Sequence, residues 1–123
     1  MSARTSATVR EQGAYPETGP AAKTFENCDV TNGNKVVIEP RLVLVFFNSA
    51  ASSKTVTYTY DDDAGQSRTL VLTLAAGEVC PVQLEGRLGR HAADASEQGF
   101  AWFTANGTAG EVKMHVLRSK LLT

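Results

Sequence analysis

Between Arg41 and Leu84 one β-strand pattern follows another, and no catalytic motif interrupts them. Leu42-Val43-Leu44-Val45-Phe46-Phe47 is a continuous apolar run closed by the turn formers Asn48 and Ser49, the pattern of a strand buried on both faces. Lys54-Thr55-Val56-Thr57-Tyr58-Thr59-Tyr60 alternates, which puts Val56, Tyr58 and Tyr60 on one face and the threonines on the other. Ser67 to Ala75 alternates again: Leu70, Leu72 and Leu74 share a face, and Thr69, Val71 and Thr73 take the opposite, more polar one. These residues describe a β scaffold and no reaction.

The chain has 123 residues. That length supports one domain with a single core, which removes roughly two thirds of the unfolded surface from water without metal or disulfide staples. Twelve Lys and Arg face 13 Asp and Glu, a formal net charge of −1, so no global field favours a polyanion, and a dedicated nucleic-acid module is not indicated. Met1 to Thr8 carries no apolar leader core, and no later run approaches the ~20 apolar residues a membrane helix needs. Folding in a cytoplasm, with no membrane partner, is the expectation. In a reducing compartment Cys28 and Cys80 read as small buried hydrophobes, with a bridge across the sandwich as the alternative. Asn106-Gly107-Thr108 matches a glycosylation sequon but reads better as a hairpin turn.

Residues 1–23 are rich in Ser, Thr, Ala, Gly and Pro, and beyond Met1 only Val9 and Tyr15 are sizeable apolar side chains. This stretch forms no core of its own. It is either a flexible tail or an extended arm that orders on a neighbouring subunit, with a reach of up to ~75 Å. If it is an arm, Arg4, Val9, Arg10, Tyr15 and Pro16 are its candidate partner-binding residues.

The body is expected over residues 24–123. Thr24 to Cys28 reads as a first strand, Asn32-Gly33 as a turn and Val36-Val37-Ile38 as a second strand, limited by Pro40. Asp61-Asp62-Asp63-Ala64-Gly65 and Ala75-Ala76-Gly77 turn the chain before Glu78 to Leu84. After a polar loop from Glu85 to Gly99, Phe100-Ala101-Trp102-Phe103 and Val112 to Val116 supply two more strands, and only Arg90 to Gln98 has room for a helical turn. Roughly seven or eight short strands at this spacing predict an all-β fold, an antiparallel β-sandwich or jelly-roll-like barrel with an extended N-terminal arm.

Several sites compete with bland readings. Asp61, Asp62 and Asp63 are the densest oxygen ligands, but no glutamate follows at the EF-hand interval, so an acidic hairpin tip in water is expected. Cys28, Cys80, His91 and His115 lack zinc spacing, and no histidine precedes Cys80 as a blue-copper site would need. No metal or cofactor is expected; His91 reads as an exposed loop residue and His115 as an outward strand residue. Gly-x-Ser-x-Gly is absent, and Gly86-Arg87-Leu88-Gly89 lacks the context of a phosphate loop. The loop from Glu85 to Gly99 is long for a sandwich and is either a contact surface, with Arg87, Arg90 and His91 binding a partner, or a solvated crossover. Trp102 and Phe103 face opposite sides of a strand; an exposed one would suit a partner or a sugar ring, while the simpler reading buries both.

The aliphatic strand closed by Asn48-Ser49, then Thr55-Val56-Thr57, then a Leu/Val/Thr strand ending in Ala76-Gly77-Glu78-Val79, resembles the small capsid decoration (cement) proteins of tailed bacteriophages over roughly residues 24–118. The resemblance implies a non-enzymatic virion protein made in the host cytoplasm. Such a protein binds the outside of an assembled capsid, often as a homotrimer at local threefold positions, and clamps neighbouring major capsid subunits. The alternative is a β-sandwich ligand-binding module for a carbohydrate or receptor. An open aromatic platform at Trp102, Tyr58 or Tyr60 would favour that alternative.

Overall fold

Alternation drives the architecture. In the computed structural model, which describes residues 4–11, 25–91 and 95–118, the strands in chain order are β1 (Thr5–Ser6), β2 (Val9–Glu11), β3 (Glu26–Asn27), β4 (Asn34–Val37), β5 (Leu42–Asn48), β6 (Lys54–Asp61), β7 (Ser67–Leu74), β8 (Val79–Gln83), β9 (Phe100–Ala105) and β10 (Val112–Arg118). Two short 3-10 turns, Gly86–Gly89 and Ala95–Glu97, interrupt the loop before β9. The strands form two sheets. One has the order β1-β4-β9-β6-β7, and the other β2-β10-β5-β8, with β3 also pairing with β10. Most pairs are antiparallel, and the result is a β-sandwich.

The core lies between the sheets. Leu42, Leu44 and Phe46 of β5 and Met114 and Val116 of β10 face Val36, Val56, Tyr58, Ala101 and Phe103 of the other sheet, all essentially removed from water. Phe46 meets Phe103 edge-on across the layers, with centroids 5.5 Å apart at 81°, and Tyr58 leans on Phe103 at 5.7 Å. Edge-to-face contacts of this kind stabilise beyond the area they bury.

Several expectations shift on folding. β5 buries one face fully, but Val43, Val45 and Phe47 on the other are half-buried, because only pieces such as Phe25, 5.8 Å from Phe47, cover that side. The leucines of β7 do share a face, opposite Tyr58, Val56 and Lys54 of β6, yet Leu70 is 43% exposed because β7 is the rim of its sheet. Asn106-Gly107 does not close a hairpin: β9 and β10 belong to different sheets, so the turn carries the chain across the sandwich. Two of the ten strands exceed the expected number because residues 5–6 and 9–11 of the anticipated arm pair in parallel with β4 and β10 of the same chain. Gly33 permits the first of these joins. Its φ is +78°, and a Cβ there would meet Thr104 Oγ1 at 2.8 Å.

Asn48 ties the far end together. Its buried carboxamide nitrogen donates to the carbonyls of Ser52, Leu74 and Ala75 at 2.9 to 3.1 Å, and its oxygen accepts from Ala50 N–H at 2.9 Å. Its main chain is also paired, donating to Glu78 O at 3.0 Å and accepting from Gly77 N–H at 2.9 Å. Replacing Asn48 by Ala leaves buried carbonyls unmatched, and urea unfolding should show a loss of about 2–4 kcal/mol with little change in slope. Asn48→Asp should cost more, since a carboxylate would face those carbonyls without a proton to donate.

Candidate functional site

Two clusters sit on the side of the sandwich that carries β1. The first grows from β9. Trp102 points away from the core, and the guanidinium carbon of Arg4 lies 3.6 Å from its ring centroid while the His91 ring stacks on it at 3.7 Å and 15°. Two groups that close to one centroid do not fit on the same face, so the indole lies between them. His91 is 3% exposed and held at both ends: Nε2 contacts Phe100 O at 2.8 Å, and its carbonyl accepts from Gln98 Nε2 at 2.7 Å. The exposed loop histidine expected at 91 is therefore a packing residue, folded under because the flat imidazole covers the flat indole. His115 is likewise 8% exposed, with Phe25 lying 5.8 Å from its ring, rather than outward in water.

Arg4 belongs to a described segment that is fastened at several points. Thr5 N–H donates to Gly33 O at 3.0 Å, Ala7 N–H to Lys35 O at 2.9 Å and Thr8 N–H to Glu26 Oε1 at 2.8 Å. Thr5 Oγ1 donates to Asp29 Oδ2 at 2.5 Å, and the Asp29 Oδ1 also accepts from the backbone N–H groups of Thr31 and Asn32. These bonds, the one from Thr5 foremost, hold the Asp29 carboxyl down at about 2. Buried Asn34 closes the join, accepting from Asp29 N–H and donating to Thr5 O. Val9 packs against the core, and Arg10 pairs through its backbone with Leu117. The Arg10 side chain, with all of Tyr15 and Pro16, lies outside the described residues.

The second cluster forms where the loop after β8 folds over the β6–β7 hairpin. Leu88 is buried, and Asp61 N–H donates to Arg90 O at 2.8 Å, which holds the loop against the strand end. Arg87 and Arg90 thereby join the aspartates in one hollow of about 240 Å³ beside Tyr60. Arg90 pairs with Asp63, Arg68 with Asp62 at 2.8 Å and Arg87 with Glu85 at 2.6 Å. Asp62 also closes its own turn, accepting from the N–H groups of Ala64 and Gln66, and its carboxyl is lowered chiefly by Arg68. Two of the three aspartates, Asp62 and Asp63, are thus matched to arginines at the hairpin tip. Among the described residues no three His, Cys, Asp or Glu groups converge on a point where an ion would sit.

The ion pairs of this second arrangement are exchangeable. Exposed ion pairs contribute at most about 1 kcal/mol each. Arg87 and Arg90, both about half exposed, can therefore leave Glu85 and Asp63 for a partner's carboxylates at small cost. Periodicity revealed Trp102 as one of two back-to-back aromatics. Nothing in the sequence signalled that Arg4 and His91 would enclose it, because Arg4 comes from the far end of the chain and His91 from an irregular loop without periodicity.

Three outcomes follow from this geometry. The depressed Asp29 pKa stabilises the join fully above its unfolded value near 4, and that contribution is lost as pH falls through about 2. Thermal melts between those limits should fall less steeply for Asp29→Asn than for the native chain. Arg4→Ala should open one face of the indole, seen as faster acrylamide quenching of Trp102 fluorescence. Both cysteines are free thiols, Cys28 is buried and burial pushes its thiol up to about 12. A thiol reagent should label half-buried Cys80 in the native chain and Cys28 only after unfolding. Compared with known protein families, curated proteins and solved structures, the chain matches none.

Proposed function

We propose that this chain is a non-enzymatic structural protein of a phage virion, which binds the outer surface of the assembled capsid and stabilises it by bridging neighbouring major capsid subunits. The observation that carries the reading is the N-terminal segment. Residues 5–11 are add-on strands, held to the body by short parallel ladders and a few polar side chains rather than by a core of their own. A segment of this build has the chemistry of a strap, since main-chain ladders can form on a neighbour's strand edge as well as on the chain's own.

Two further features support it. A stiff two-layer body offers a preformed docking face whose ordering cost is already met. The rim of Arg87 and Arg90 carries loosely committed cations for acidic groups on a shell. Repetition over many copies would multiply a modest single contact, and a homotrimer at local threefold positions would present three rims together. Trp102 offers no open platform of the kind a sugar stacks on, because Arg4 and His91 occupy its faces, and Tyr58 is 2% exposed.

Co-sedimentation and mass photometry with shells assembled from the major capsid protein of the same source test the reading. The full chain should saturate the shells at a fixed ratio and raise their melting temperature. The double variant Arg87→Ala/Arg90→Ala should keep its fold, with a stability change of about 0.5 kcal/mol or less, yet bind roughly tenfold more weakly. A full chain that stays in the supernatant at every concentration overturns the proposal.

A further inference from the structure

Among the described residues the two sheets end on four rims, and three of these are blunted. β1 and β2 are two and three residues long, and β8 carries Pro81, which donates nothing to an incoming strand. β7 has none of these protections. It runs for eight residues without proline, and its single charge is Arg68 near one end, already paired with Asp62. Among the described residues it also holds two of the three most exposed large apolar side chains, Leu70 at 43% and Val71 at 56%. A long apolar rim of this kind is a template for another strand.

The sequence of the rim says which strand. Thr69-Leu70-Val71-Leu72-Thr73 reads the same in both directions. An antiparallel copy centred on Val71 sets Val71 against Val71, Leu70 against Leu72 and Thr69 against Thr73, with like side chains on like faces and no charge opposed. Those are the cross-strand pairs that stabilise sheets: aliphatic on aliphatic and threonine on threonine. A twofold axis makes such a contact self-complementary and closed.

We infer that β7 is a self-association edge, at which a second copy of this chain adds its own β7 antiparallel about a twofold axis through Val71 and joins two five-stranded sheets into one of ten. A single strand pair buries less than the ~1,200–2,000 Å² of a stable interface, so the contact is reversible, with a dissociation constant on the order of 10 µM. It requires no capsid and stands apart from the function proposed above. On a shell, groups at local threefold positions are related by local twofold axes, and the same contact would join one group to the next.

Sedimentation equilibrium of the full chain from about 1 to 200 µM tests it, without shells, so that its failure leaves the capsid reading intact. The native chain should self-associate reversibly. Val71→Lys, which alters an outward side chain and puts like charges face to face, should keep the native circular dichroism and weaken association at least tenfold. Register is read separately by oxidation in a Cys80→Ser background. Val71→Cys alone should form a covalent dimer, whereas Thr69→Cys and Thr73→Cys should cross-link only when mixed, because identical positions lie about 13 Å apart. A native chain that shows no self-association over the range overturns the inference. So does an oligomer that Val71→Lys leaves unchanged, or Thr69→Cys cross-linking as well alone as in the mixture.

Discussion

The carboxamide of Asn48 sits where the chain twice changes sheets, and the topology depends on what it holds. After β5 the chain leaves one sheet for the other through residues 49–53, and after β7 it returns through 75–78. Asn48 donates to a carbonyl on the first crossing and to two at the start of the second, while its own backbone grips Gly77 and Glu78. A buried amide with every bond made is stable, and one with any bond missing is costly, so the two crossings form together. Their joint geometry puts β7 at the rim of one sheet and β8 at the rim of the other, which is why the leucine face of β7 ends half in water.

Around that frame polar residues fasten loops and termini to the body. Asp29 and Asn34 receive the N-terminal segment, and Arg4 and His91 close over Trp102. Elsewhere Arg118 holds Glu39 through two nitrogens, at 2.7 and 2.9 Å, and Lys35 holds Glu97 at 3.0 Å. Apart from His91, which sits on the loop just before β9, the partners come from segments far apart in the chain, so the bonds register loops and termini on a body that apolar contacts already define.

Much of the body was legible in the residues. β5, β6 and β7 fall where apolar continuity or alternation puts them, since a strand shows its period within its own few residues. Arg87 and Arg90 were legible as exposed loop cations, though not as neighbours of the aspartates at 61–63, because that meeting depends on Leu88 drawing the loop inward. The burial of His91 and His115 was not legible because titratable residues usually face water; flat rings that cover Trp102 or meet Phe25 do not. The N-terminal strands left no local trace, since two- and three-residue ladders follow from the edges they meet.

By itself the amino-acid sequence determined the strand-rich class, the inward face of β6 and the turn residues at Asp61 to Gly65 and at Gly77, because periodicity and backbone preference act over a few adjacent residues. Tertiary structure alone decided which strands became rims, which turns changed sheets, and which distant side chains met at Trp102 and in the arginine–aspartate hollow. The physical reason is that edge pairing and burial are properties of the whole packed assembly: a strand carries its own alternation, but its neighbours exist only once the chain has closed on itself.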